Sequence, residues 1–274
     1  GRNAIRFFDA ELRGRTTEEL SLTADIRSGL QAGQFDLHYQ PIVDAISGTV
    51  LDYEALIRWE HPEKGSVAPD DYIPFAEGSD LVIEIDRWVL STAVDTIASG
   101  RLDGVGVAVN ISGRHLANGD LYSDLRSVLD CVSIDPSELT IEITESALLG
   151  DIDGAIDTLR RIREIGVKVA IDDFGTGYTS LTHLRSLPAD VLKIDQSFTN
   201  DLDNPDDANL IRLVIQTAHI LGLDVVVEGV ESQHQAQRVT MLGADHMQGY
   251  YFARPMSLDQ LTASITTPPT ASRR

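Results

Sequence analysis

Eight short apolar runs with strand character punctuate this chain, and they constrain its fold more than any other feature. They lie at Phe35 to Tyr39, Val50 to Ile57, Val105 to Val109, Leu139 to Ile143, Val167 to Ile171, Val191 to Ile194, Val225 to Val227 and Met247 to Phe252. Segments of helical period separate most of them: Asp71 to Ala98, Arg114 to Leu129, Ile152 to Ile165, Thr179 to Leu187, Asp207 to Leu221 and Gln233 to Leu242. Strands alternating with helices predict parallel βαβ units, and eight of them predict a closed barrel of the α/β class. One link breaks the pattern. Between the first two runs stands only Asp44-Ala45-Ile46-Ser47-Gly48-Thr49, too short for a parallel crossover, with Ser-Gly supplying a turn. The expectation is a modified TIM (β/α)8 barrel whose first strand is antiparallel, with Thr17 to Ala32 as a leading helix outside or beneath it.

The length of 274 residues suits one such barrel, which takes about 250. Residues 17–265 are expected to fold as that domain. The stretch 1–16 reads as a linker, and 266–274, with adjacent prolines and no apolar period, as a disordered tail. Acidic residues outnumber basic ones 43 to 22, a formal charge of -21, which repels DNA, RNA and anionic membranes. A small phosphate-bearing ligand stays compatible, because bound divalent cations invert the local potential. The single cysteine, Cys131, has no disulfide or CxxC companion, which fits a reducing, cytoplasmic setting. No run approaches the roughly 18 apolar residues of a membrane span. Beginning at Gly1, the chain reads as an excised piece, expected to make no membrane contact itself, although a longer parent could be membrane-anchored.

The polar residues in and at the ends of these runs carry the chemistry. Glu54 sits in the second, Asn110 closes the third, Glu142 lies in the fourth, and Asp172 with Asp173 closes the fifth. Lys193 lies in the sixth, Glu228 closes the seventh, and Gln248 sits in the eighth. In a barrel these converge on the C-terminal face, where catalytic groups gather. Any one acidic strand end is more often a helix cap or a solvated loop residue. Independent caps, however, have no reason to favour one barrel face. Five carboxylates and an amide oxygen call for cations, and oxygen donors without clustered His or Cys point to Mg²⁺ or Mn²⁺. Adjacent Asp172 and Asp173 suggest two ions, a pair able to activate water and neutralise a phosphodiester. Lys193, a lone base among acids, would position the nucleophile or offset developing charge. Asp173-Phe174-Gly175 also matches a kinase magnesium loop, but no catalytic or glycine-rich kinase loop accompanies it. The scattered histidines form no HxxxH pair and read as structural or exposed, and Trp59 and Trp88 as core.

The motifs together resemble the EAL domain, a phosphodiesterase of the bacterial messenger cyclic di-GMP. Glu54-Ala55-Leu56 stands within YEALIRW, preceded by YQPIV from Tyr39. Then follow VNIS from Val109, EITES from Glu142, DDFGTGYTSL from Asp172, KID from Lys193, EGVES from Glu228 and QGYYFARP from Gln248. The resemblance implies a hydrolase that opens cyclic di-GMP to linear pGpG with two Mg²⁺ or Mn²⁺ ions per site, and that Ca²⁺ inhibits. It implies that Glu54, Asn110, Glu142 and Asp172 hold one ion, and Asp172, Asp173 and Glu228 surround the other. Lys193 would contact the attacking water. Glu228 would serve as general base, unless the metal activates the water unaided; both remain open. Arg58 would contact a substrate phosphate, while Gln40, Leu56, Gln248 and Pro255 would border the guanine cleft. Glu145 would anchor the loop beginning at Asp173-Phe174-Gly175, a region the resemblance ties to homodimerisation. Val227, Ile57 and Thr179 depart from the family's commoner residues, and none of them removes an oxygen ligand. The stretch 1–16 resembles the end of a GGDEF domain, as in tandem GGDEF-EAL proteins. Two further readings stay beside this one: a sensor that binds cyclic di-GMP without cleaving it, and another metal-dependent barrel such as an aldolase.

Overall fold

A computed structural model describes residues 21–118, 121–149, 151–175, 184–199 and 202–266. The expected linker, residues 267–274 of the expected tail and most of the segment Thr179 to Leu187 lie outside the described residues, and so do Thr179 itself and residues 17–20 of the expected leading helix.

Ten strands form one sheet. They are β1 (Phe35–Asp44), β2 (Val50–His61), β3 (Gly65–Val67), β4 (Gly106–Asn110) and β5 (Leu139–Thr144), then β6 (Lys168–Phe174), β7 (Val191–Ile194), β8 (Asp224–Val227), β9 (His246–Gln248) and β10 (Met256–Ser257). The order β1-β9-β8-β7-β6-β5-β4-β2 closes on itself through the β1–β2 pairing, with β10 and β3 as outer additions. β1 runs antiparallel to both β2 and β9, and the remaining barrel pairs are parallel. The barrel with one inverted strand is therefore as expected. In the β1–β2 turn, the Asp44 carboxylate accepts hydrogen bonds from the Ser47 backbone and hydroxyl at 2.6 and 2.8 Å.

The hydrophobic core is the shell between strands and helices rather than the barrel lumen. Val107, Val109, Ile141, Ile143, Val169, Ile171, Leu192, Ile194, Val225 and Val227 all belong to one buried cluster. The alternate positions Ala108, Ala170 and Val226 are buried but stand outside it, because successive strand residues face opposite sides of the sheet. Small inward residues leave the lumen room for the long polar side chains of Glu54, Glu142 and Lys193, which the core would otherwise exclude.

The helical segments differ from expectation in their breaks. Asp71 to Ala98 is interrupted: a 3-10 turn at Pro69–Asp71 and a short helix Ile73–Glu77 precede the long helix Leu81–Ala98. The reason is local. Ser79 donates its hydroxyl back to the Ala76 carbonyl and accepts from Leu81, ending one helix and starting the next at Gly78-Ser79. Arg114 to Leu129 likewise divides into Gly113–Ala117 and Leu121–Leu129. The leading helix spans residues 21–31, Ile152–Glu164 and Pro205–Ile220 cover the outside, and Gln233–Leu242 starts at a capping box between Ser232 and Gln235. The last strand is shorter than the run Met247 to Phe252 and ends at Gln248. Gly249 follows, pressed so closely on Val230 that a Cβ there would fall on its backbone. A final helix, Leu258–Thr266, reaches residue 266, the first of the expected tail. Trp59 is fully buried and Trp88 packs partly buried against the core.

Candidate active site

Lys193 stands at the centre of the lumen with 1% exposure. Its Nζ lies 2.7 Å from Glu142, 2.8 Å from Glu228, 3.3 Å from Asp172 and 3.6 Å from Glu54. β2, β5, β6 and β7 each bring one member of this cluster and Glu228 follows directly on β8, and none is a sequence neighbour of another. An isolated ammonium would lose its proton in such surroundings. Burial does press the Lys193 pKa down, but Glu142, Glu228, Glu54 and Asp172 outweigh it and raise the value well above the usual lysine range.

The carboxylates divide by environment. Burial opposes ionisation of Glu54, but Lys193, Gln248 and Asn110 prevail, so its pKa is lowered. Its two oxygens accept from Asn110 Nδ2 at 2.7 Å and Gln248 Nε2 at 2.6 Å. Burial raises Glu142 well above the usual carboxylate range despite Lys193, and repulsion from Glu54 and Asp172 adds to it. Glu228 is pushed up to about 7, first by burial and then by Asp172 and Glu54, against the pull of Lys193. Burial and Asp172 raise Asp173 as well. Burial and mutual repulsion thus leave Glu142, Glu228 and Asp173 harder to ionise than Glu54, with one ammonium among the five carboxylates.

Adjacent strand residues point to opposite faces, yet one oxygen each of Asp172, Asp173 and Glu228 come within 4.8 Å of one another. A bulge resolves the conflict. Ile171 stands opposite Leu192 but Phe174 opposite Ile194, so β6 carries an extra residue there. Asp173 takes it up with a left-handed φ of 55°, a conformation costing about 1–2 kcal/mol outside glycine. Beyond it, the Gly175 amide donates to Glu145 Oε2 at 3.1 Å, and Gly175 itself has a left-handed φ of 100°.

Two cavities flank the cluster. One of about 240 Å³ is lined by Gln40, Glu54, Leu56, Asp172, Glu228 and Gln248, together with Gln196, Gly229, Glu231 and Tyr250. The other, of about 440 Å³, is lined by Leu56, Arg58, Asn110, Asp173 and apolar residues such as Ile73, Val82 and Val89. Leu56 belongs to both, because β2 continues to His61 and sets Glu54, Leu56 and Arg58 on one face. Gln40 accepts from Gln248 at 3.2 Å and donates to the Ala253 carbonyl at 3.1 Å. Pro255 is half-buried and lines neither cavity, since the chain turns away after Gly249 instead of continuing as a strand.

The sequence signalled neither Gln196 nor the Asp86–His115 pair behind Asn110. Glu231 and Tyr250 lie inside recognised motifs, but their motifs alone assign them no place. His115 is wholly buried between two aspartates, a structural rather than exposed histidine, and His183 lies outside the described residues.

Fold and site together define a closed α/β barrel with a buried acidic centre built around one lysine. The EAL domain profile matches residues 23–255, and the chain belongs to the EAL domain family. It is 39% identical over 270 residues to the bifunctional diguanylate cyclase/cyclic di-GMP phosphodiesterase MucR of Pseudomonas aeruginosa, covering 97% of this chain and 39% of that protein. It is 37% identical over 259 residues to the cyclic di-GMP phosphodiesterase PdeR of Escherichia coli, covering 93% of this chain and 39% of that one. The chain therefore spans well under half the length of these relatives. The solved phosphodiesterase domain of PaMucR in complex with cyclic di-GMP superposes with a TM-score of 0.83 at 40% identity, covering 88% of this chain and 99% of that one. An EAL domain protein from Listeria monocytogenes gives 0.80 at 32% identity, over 89% and 97% of the two chains. Among the described residues no helix is long and apolar enough to cross a membrane.

Proposed function

We propose that this domain hydrolyses cyclic di-GMP to linear pGpG, using Mg²⁺ or Mn²⁺. The observation that carries the reading is the excess of buried carboxylates around Lys193, set between two cavities that together suit a ligand with two bases joined by phosphodiesters. The relatives named for cyclic di-GMP support the substrate.

The residues present fit a divalent pair. Their donors are oxygens, three of them already converge, and the raised pKa values of Glu142, Glu228 and Asp173 mark a site short of positive charge. Glu54, Asn110, Glu142 and Asp172 would hold one ion, and Asp172, Asp173 and Glu228 the other. When bound, the ions supply Lewis-acid activation of water and neutralisation of the phosphodiester. The chain's own groups do the rest. Arg58 faces the larger cavity, where it binds a phosphate oxygen. Gln40, Leu56 and Gln248 line the smaller cavity and hold a base. Glu228, beside Lys193 at the edge of the smaller cavity, is placed to take the proton of the attacking water. Lys193, wholly desolvated, keeps the carboxylates in place and orients that water. One P–O ester bond is broken, and the other phosphodiester survives in the linear product.

A homodimer, a cytoplasmic setting and an origin as the C-terminal part of a GGDEF-EAL protein belong to the same reading. MucR, by its name a cyclase and phosphodiesterase in one chain, supports the last. Exposed Leu210 and Leu213, three apart on Pro205–Ile220, offer apolar surface for a second copy. The test incubates the purified chain with cyclic di-GMP and Mg²⁺, Mn²⁺ or Ca²⁺ and separates the products. Linear pGpG is expected with the first two and little with Ca²⁺, whose longer bonds and loose geometry misplace water. Turnover that persists after chelation, or in Glu54→Ala, would falsify the mechanism. Tight binding without product would instead make the domain a sensor.

A further inference from the structure

A second charged network borders the site: Asp86 and Ser112 line the larger cavity beside Arg58, Asn110 and Asp173, and the network runs from there through buried His115 to Asp124 and the exposed Arg87. Asp86, on the long helix Leu81–Ala98, is 5% exposed. Its Oδ2 accepts from both the backbone amide and the hydroxyl of Ser112, at 3.1 and 2.6 Å. His115 stands behind it with no exposure, Nδ1 at 3.3 Å from Asp86, an ion-pair separation rather than an aligned hydrogen bond. Its Nε2 lies 2.9 Å from Asp124, which also accepts from Arg87 at 2.7 Å. Burial lowers the His115 pKa, but the flanking carboxylates of Asp86 and Asp124, the latter within hydrogen-bond distance, prevail and raise it. Charges therefore alternate along Asp86, His115, Asp124 and Arg87.

Such networks are costly to bury, and apolar replacements of the same volume are often as stable. Stability alone does not explain this one. Ser112 caps the helix Gly113–Ala117 and follows Asn110 by two residues. Between them, the Ile111 amide donates to the Glu142 carbonyl at 2.9 Å. The backbone leaving β4 is thus fastened twice, on one side to β5 and on the other to Asp86. Asn110 sits immediately before both fastenings, its amide nitrogen donating to Glu54 at 2.7 Å and its side chain lining the larger cavity.

We propose that Asp86, braced by His115, is a positioning residue that fixes the direction of Asn110 through Ser112 and so sets the metal affinity of the centre. The inference rests on the reading of Asn110 as a metal ligand. Groups one step behind a ligand typically change metal affinity 10–100-fold when removed.

The test is Mn²⁺ binding to the metal-stripped chain by calorimetry, without substrate, with thermal melts alongside. Asp86→Asn and Ser112→Ala are each expected to weaken Mn²⁺ binding by about ten-fold, and Ser112→Thr, which keeps the hydroxyl, to restore it. Asn110→Ala should weaken binding similarly, and Asp86→Asn added to it should produce no further loss, since both act through one ligand. Losses that multiply in the double variant overturn the proposal. So do variants that melt earlier yet bind Mn²⁺ like the parent. A parent chain that binds no Mn²⁺ overturns the metal centre itself and this inference with it. If Asp86→Asn does not fold, Ser112→Ala and Ser112→Thr decide the matter, binding at parental strength in the alanine variant being the refuting result.

Discussion

Lys193→Met removes the one cation from the barrel lumen while nearly conserving its volume. Glu54, Glu142, Asp172 and Glu228, now all within 4.0 Å of that ammonium, are left facing one another in a desolvated space. Breaking a buried pair by deleting one partner costs about 3–5 kcal/mol, and at roughly 2–4 °C per kcal/mol for a domain of this size the melting temperature should fall by about 10 °C. The cost depends on pH with a definite sign. Without the lysine the surviving carboxyls have folded pKa values raised above their unfolded values near about 4. The folded state then binds more protons than the unfolded state, so its deficit is largest above the folded values and shrinks as pH falls towards about 4. Mn²⁺ should restore part of the loss at pH 8, because it returns positive charge to the same carboxylates. The assay is urea unfolding of parent and variant, metal-free and with saturating Mn²⁺, at pH 5 and pH 8. A deficit of the same size under all four conditions would refute the electrostatic account and leave only a packing defect, and no deficit at all would refute the desolvated cluster.

Further expectations concern the bulge, the turn after β9 and the protons. Asp173→Asn keeps a residue that tolerates the left-handed conformation while removing a like charge beside Asp172, so the metal-free chain should gain about 1 kcal/mol in urea unfolding and lose Mn²⁺ affinity by calorimetry. Gly249→Ala places a methyl on the Val230 backbone and is expected to cost more than about 2 kcal/mol by the same unfolding assay. Because Glu228 titrates near 7 before metal is bound, Mn²⁺ must displace a proton below that pH. Affinity should rise with pH through about 7 and on beyond it while Glu142, raised well above the usual carboxylate range, still binds a proton, with proton release detected as a dependence of calorimetric heat on the buffer's ionisation enthalpy.

The barrel was legible because its elements are periodic. Inverted β1 followed from the short stretch between Asp44 and Val50, and the strand positions of Glu54, Glu142 and Lys193 followed from the apolar runs that contain them. Breaks were less legible. Gly78-Ser79 and Gly249 act through hydroxyl and backbone contacts that residue type alone does not announce, so the segment Asp71 to Ala98 read as one helix, as Arg114 to Leu129 did, and one strand read as too long.

The sequence by itself determined that acidic residues recur in and at the ends of the strand-like runs with one lysine among them, since composition and period carry that fact. It also carried the family, through motifs in fixed order. Only the tertiary structure decided that four carboxylates from separate strands close on Lys193, because pairing register and closure set those distances. It alone turned Asp172 and Asp173, which strand alternation would part, towards one centre through a bulge and a left-handed φ. And it alone brought Asp86 and His115 behind Asn110, since helix packing against the barrel joins residues that nothing in their spacing relates.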